Sequence, residues 1–151
     1  MYIKVFIKIL FLLSLLFGGC SVWRTPCLVL LDEESGRAMA RLPVSPQESI
    51  IFEFINSIYL APVRETLMFV PPESLYIVMV ESPSQDVFRY YGLESDSTGK
   101  AMLRMKVENV RLRSSDYSNH RIKAGKHTLN LKEIVPDGES VLLDVRDCKD
   151  R

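Results

Sequence analysis

Residues 49–57 read Ser-Ile-Ile-Phe-Glu-Phe-Ile-Asn-Ser, and residues 75–80 read Leu-Tyr-Ile-Val-Met-Val. Side chains alternate across an extended chain. In the first stretch this sets Ile51, Glu53 and Ile55 on one face, and Ile50, Phe52, Phe54 and Asn56 on the other. The second set reads as a core-facing row with Asn56 at its end. The second stretch is an unbroken run of bulky and β-branched residues, the composition of a central buried strand.

Working outward, the same strand chemistry recurs. Residues 27–32 are apolar and lead into Glu33-Glu34-Ser35-Gly36, where Gly36 gives the backbone freedom for a hairpin turn. Residues 37–42 alternate weakly and end at Pro43 and Pro46, because proline cannot donate to a ladder. Residues 64–70 form a further strand, stopped by Pro71-Pro72. Residues 82–100 are the least regular part and predict a long connection, either functional or mobile. Residues 102–110 predict a strand in which Leu103, Met105 and Val107 alternate with Arg104, Lys106 and Glu108. Residues 121–123 and 128–131 flank an Ala124-Gly125 turn; Pro136-Asp137-Gly138 is another turn, and residues 140–145 are the last strand. Short strands at regular spacing, with no long segment of helical period and no internal repeat, predict an all-β antiparallel sandwich or barrel-like single domain. Phe52, Phe54, Ile77, Met79 or a neighbour, Val107, Leu129 and Leu143 are its expected core.

The N-terminus speaks to location. Lys4 and Lys8 precede an apolar run over residues 9–17, followed by Gly18, Gly19 and Cys20. A charged start, a short apolar centre and small residues are the parts of a secretory signal. The apolar run falls short of the roughly 20 residues a spanning helix needs. Extending it backwards would bring in both lysines, at about 2.5–3.5 kcal/mol each at mid-helix. The competing reading is an uncleaved anchor with both lysines at the cytoplasmic face. Cysteine after a small pair is the pattern of a bacterial lipoprotein signal, although Phe17 is bulkier than usual at its position. The expected organisation is a signal peptide over 1–19, a lipidated tether over 20–26, a β-domain over 27–148 and a tail over 149–151. The product would be held at the periplasmic side of a membrane by lipid on Cys20.

The chain has 19 basic and 19 acidic side chains, so loss of Lys4 and Lys8 with the signal leaves a net charge of about −2. Basic residues are scattered, without a block or an aromatic platform, which argues against nucleic acid as a partner. With Cys20 lipidated, Cys27 and Cys148 remain as an even pair. In an oxidising compartment they could form a disulfide closing nearly the whole domain; the alternative is two free thiols. Their separation is not that of a metal motif.

Few residues suggest chemistry. Asn56-Ser57, with Pro62-Val63-Arg64-Glu65 downstream, gathers an amide, a hydroxyl and a carboxylate that could hold a small ligand or a metal. The same residues also make a turn rigidified by Pro62. His120 and His127 flank the Ala124-Gly125 turn and read as exposed hairpin histidines, since two ligands make a poor metal site. There is no nucleophile-elbow motif and no plausible Cys-His pairing, and although the plentiful Glu and Asp leave a carboxylate pair open, neither an enzyme nor a cofactor is expected. Tyr90-Tyr91-Gly92-Leu93 reads either as a lid or ligand wall, or as aromatics anchoring the long connection on the core.

The order of these segments resembles an uncharacterised family of small exported bacterial proteins, the domain-of-unknown-function family numbered 1850, often encoded beside TRAP transporters of the TAXI type. The family's opening strand and glycine turn are similar to residues 28–36. Its strand ending in His-Ser, followed by Pro-Val-x-Glu, resembles Phe54-Ile55-Asn56-Ser57 and Pro62-Val63-Arg64-Glu65. Its Gly-Leu loop resembles Tyr91-Gly92-Leu93, and its final hairpin resembles Asn119, His120, Arg121, Gly125, Lys126, Leu129 and Leu131. Asn56 stands where the family has histidine, and the glycine-rich loop is reduced to Gly92-Leu93, so an imidazole function at that strand end is missing here. The resemblance implies a membrane-anchored accessory protein of a TRAP/TAXI-type uptake system, docking on a transporter subunit. Asn56, Ser57, Glu65, Tyr91, Gly92 and Leu93 would form its binding face. The alternative is an independent small-ligand-binding lipoprotein with a pocket among the same residues. A concave site with convergent polar groups favours the latter; a closed sandwich with an exposed apolar patch favours docking.

Overall fold

The computed structural model describes residues 25–46, 48–71, 74–108 and 110–149. The expected signal segment and Cys20 lie outside the described residues. The strands are β1 (Pro26–Asp32), β2 (Ala38–Pro43), β3 (Ser49–Asn56), β4 (Ala61–Val70), β5 (Ser74–Glu81), β6 (Lys100–Val107), β7 (Val110–Arg113), β8 (Arg121–Ala124), β9 (His127–Asn130) and β10 (Ser140–Asp147). One short helix, α1 (Gln85–Tyr91), lies between β5 and β6, and a 3-10 turn (Leu131–Glu133) follows β9. No helix among the described residues is long and apolar enough to cross a membrane.

The strands form two open antiparallel sheets rather than a closed barrel. One has the order β2-β1-β10-β7, the other β6-β5-β4-β3-β8-β9. Their inner faces share one core, to which Leu28, Leu30, Leu112 and Val141 come from the smaller sheet and Ile50, Phe52, Leu67, Ile77 and Ile122 from the larger. The chain is thus a single-domain all-β sandwich. Between Val107 and Val110 it crosses from the larger sheet to the smaller, so the single strand expected over 102–110 is all but the first two residues of β6 plus the first residue of β7. β1 is buried on both faces: beyond the main core, Cys27, Val29 and Leu31 make a second cluster with Leu142 and Cys148. Cys27 and Cys148 are disulfide-bonded, with Cα atoms 5.0 Å apart, tying the start of β1 to the end of β10.

Two adjacent rows across the larger sheet organise it. On the outer face, Arg121, Glu53, Arg64, Glu81 and Lys100 stand opposite one another on five successive strands, alternating in sign. Lys100 Nζ lies 2.7 Å from Glu81, and Lys123 Nζ 3.0 Å from Glu53. Arg64 is looser, 3.9 Å from Glu53 and 3.7 Å from Glu81. Exposed pairs of this kind stabilise by at most about 1 kcal/mol each, but a one-residue slip would bury the whole ladder, so they fix register. The next row, on the inner face, runs Ile122, Phe52, Glu65, Val80, Ala101. Four of its members are apolar and buried, and the fifth is a carboxylate.

Three expectations need correction. β5 lies between β4 and β6 as expected, but Leu75, Ile77 and Val80 are buried while Tyr76, Val78 and Met79 are only half-buried. Val78 is skipped in the pairing with β4, and this bulge shifts the inward position from Met79 to Val80. Among the other expected core residues, Phe52, Ile77 and Leu129 are buried, whereas Phe54, Val107 and Leu143 pack partly buried against them. The irregular connection over 82–100 contains α1, too short to show a helical period in the sequence.

Candidate functional site

Glu65 is the fifth residue of β4, not a strand-end residue, and it points into the sandwich opposite Phe52. An ionisable group in such a row is costly unless partnered. Its partner is the Tyr91 hydroxyl, which donates to Glu65 Oε1. Tyr91 is brought there by α1, whose Val87 and Phe88 are buried. The helix then stops in a Schellman arrangement: the Gly92 N–H donates to the Arg89 carbonyl at 3.0 Å, and the Leu93 N–H to the Phe88 carbonyl at 2.9 Å. Gly92 has φ 68°, the left-handed conformation that glycine adopts without penalty. Leu93 packs on the core to which Phe88 belongs. Gly92 and Leu93, expected on the binding face, terminate the helix and fix Tyr91 against Glu65.

Asn56 is buried, and its Oδ1 accepts from the N–H groups of Ile58 at 3.0 Å and Tyr59 at 3.1 Å. It therefore holds the β3–β4 turn and also reaches the cavity beside Glu65. Ser57 is exposed in that turn and borders a neighbouring cleft.

The cavity has a volume of about 370 Å³ and lies between the sheets. That is within the usual range of small-molecule sites. Glu65, Tyr91, Asn56 and His120 converge on it, among the rings of Phe52, Phe54 and Tyr90. His120 corrects the expectation of an exposed hairpin histidine. Its imidazole stacks on Phe52, with ring centroids 5.4 Å apart, and tilts against Phe54 at 5.7 Å. Its Nδ1 is buried without a hydrogen-bond partner. His127 is exposed beside the turn, opposite Ala124, whereas His120 lies four residues further back, roughly 13 Å at strand rise. The two histidines do not meet.

Electrostatics separate the polar groups. Burial pushes the Glu65 carboxyl above the usual carboxylate range, and the hydrogen bond from Tyr91 pulls it partly back. Burial, followed by the charge and hydrogen bond of Glu65, pushes the Tyr91 phenol up, so it stays a proton donor. Burial lowers the His120 pKa, against a backbone hydrogen bond with Arg113, so the imidazole is neutral near pH 7. Arg111 also borders the cavity, but its guanidinium is paired with Glu33. Ser115 and Ser118, on the same loop as His120, bond to each other at 2.8 Å.

A larger concavity, about 690 Å³, opens on the outer face around Glu53, Arg64, Glu81 and Arg121. Those charges already pair with one another across strands. Glu65 has a phenol for its partner, which makes the inner cavity the better candidate. Among the described residues no group of three His, Cys, Asp or Glu is placed to hold a metal ion.

The sequence brought Asn56, Glu65 and Tyr91 into view, and the structure gathers them. It missed His120, Phe52 and Phe54 as site residues. The signal for His120 was its place just before a strand, but nothing in the sequence says that β8 pairs with β3. Comparison with known proteins finds no matching family model, curated protein or solved structure.

Proposed function

We propose that this protein is an extracytoplasmic binding domain that takes up a small ligand between its two sheets, without catalysing a reaction. The observation that carries the reading is Glu65, a carboxylate in the middle of an apolar row, meeting Tyr91, Asn56 and His120 at one cavity. Local rules of burial are broken most often where function requires it. The secretory pattern of residues 1–20 and the Cys27–Cys148 disulfide support an oxidising, extracytoplasmic setting, with lipid on Cys20 as the proposed anchor. The test is a set of small aromatic compounds added to isotopically labelled protein. Resonance shifts should cluster on Phe52, Glu65, Tyr91 and His120; shifts confined to the outer face, or none, would contradict the reading.

A second reading is docking on a TRAP-type transporter component, in line with the family resemblance. It is favoured by the β3–β4 tip, where Ile58 and Leu60 are 65% and 71% exposed beside Tyr59 and Tyr90. Leu60 holds φ 50°, uncommon for a branched residue and most often retained where it serves a function. Ile58→Ser with Leu60→Ser should abolish co-purification of a transporter subunit while leaving ligand binding intact; unchanged co-purification would dismiss docking through this tip.

A further inference from the structure

The geometry points to a small organic cation, an ammonium group carried on a compact apolar body, as the ligand of the inter-sheet cavity. The inference rests on the ligand-binding reading above and gives it a chemical class.

The argument starts from charge. Glu65 is 7% exposed, and its hydrogen-bond partner is a neutral phenol rather than a cation. Besides Glu65 itself, β4, β5, β6 and β10 bring only Leu67, Ile77, Val107 and Leu143 to the carboxylate's cavity, none of them charged. On α1 there are Tyr90 and Tyr91, both phenols. Before β8 there is His120, which burial keeps uncharged near neutral pH. On β7 there is Arg111, whose guanidinium is engaged by Glu33. From β3 come Phe52, Phe54 and Asn56, none of which ionises. The protein supplies no free cation to this carboxylate among the described residues, while an incoming ammonium would supply one to a carboxylate that is itself largely desolvated, where such a pair is strongest.

The walls fit the same class. Phe52 and Phe54 lie 5.0 Å apart and tilted, and Tyr90 and Tyr91 meet edge to face at 5.7 Å. These four rings line the same cavity as the Glu65 carboxylate, and proteins hold alkylammonium groups against the negative faces of such rings. An anionic ligand would meet Glu65 with like charge. A neutral one would leave the carboxylate's desolvation unrelieved. Asn56 and Tyr91 remain as hydrogen-bonding groups that orient the ligand.

The test compares three probes of one shape: phenethylamine, the neutral 2-phenylethanol and the anionic phenylacetate, titrated into labelled protein by NMR. The amine should bind best, with shifts at Glu65, Phe52 and Tyr91. Glu65→Gln should weaken the amine about tenfold while leaving the alcohol within about twofold. In the unaltered protein, amine affinity should rise as pH rises through the Glu65 titration, a readout that needs no variant. If the alcohol binds as well as the amine, with the same pH profile, the cavity reading stands and the cation inference is overturned. If none of the three probes shifts the cavity resonances, both fall.

Discussion

Glu65 of β4 stands directly across from Phe52 of β3, and directly across from Val80 of β5, on the face of the sheet that makes the core. Its flanking neighbour Arg64 occupies the charge ladder on the opposite face. One residue along the chain therefore separates a row built for solvent from a row built for the core, and the acid lies on the wrong side for stability alone. Among the described residues its compensation is the hydroxyl delivered by α1.

The pH dependence of stability follows from that burial. Glu65's folded pKa lies above the unfolded value of 4.5. A carboxyl shifted upward stabilises the fold below its unfolded pKa, and the contribution is lost as pH rises through the folded pKa. Melting temperatures of the unaltered protein and of Glu65→Gln, measured side by side from pH 4.5 upward, should therefore diverge, with the unaltered protein losing ground. Parallel curves would show that Glu65 is not desolvated.

His120 shifts the other way. Its folded pKa is below 6.5, so its stabilising contribution is present above that value and lost as pH falls through the folded pKa. The His120 ring resonances should titrate below pH 6.5. His120→Phe keeps the stack on Phe52 and removes the unpartnered Nδ1 at the cost of the hydrogen bond with the Arg113 backbone, so it should change the melting temperature little at neutral pH and lose the sensitivity to acid. A marked loss of stability at neutral pH would mean that the imidazole makes a needed contact.

Two glycines should rank predictably. An alanine at Gly92 would meet no atom within 4 Å, so only its left-handed backbone is at issue, about 1–2 kcal/mol. At Gly99, φ is also positive, and an added Cβ would lie 2.8 Å from the Ser82 carbonyl oxygen, so Gly99→Ala should cost more. Urea unfolding of both variants checks the order. An equal effect would contradict the tight approach at Ser82.

The disulfide closes a loop of 121 residues. The chain-entropy model gives about 4–5 kcal/mol for such a closure. Cys27→Ala, or reductant added to the unaltered protein, should lower stability by that order in denaturant unfolding. A change below about 1 kcal/mol would show that the β1–β10 ladder holds these ends together without the bond.

The sequence made the fold legible where period-two alternation was clean, as in β3, or where turn residues bracketed a strand, as around Gly36 and Gly138. It failed where tertiary pairing overrode local pattern. The bulge at Val78 moved the core position from Met79 to Val80, and neither residue announces it, since both are apolar. Helix α1 escaped because seven residues carry too little periodicity, although Gly92-Leu93 was the stop signal in plain sight. Glu65 stood out for its type, but its inward direction depends on register with β3, and the approach of His120 depends on β8 pairing beside β3. Those are long-range facts that composition and spacing do not carry.

The central claim is that the Glu65–Tyr91 pair is kept for a ligand and not for the fold. Replacing both partners with apolar groups of similar shape tests it most directly, because no buried polar atom is left orphaned. Equilibrium urea unfolding at pH 7 should find the Glu65→Leu/Tyr91→Phe double variant at least as stable as the unaltered protein, with leucine joining Ile122, Phe52, Val80 and Ala101 in their row. A loss of about 3 kcal/mol or more would make the pair a structural element and contradict the account.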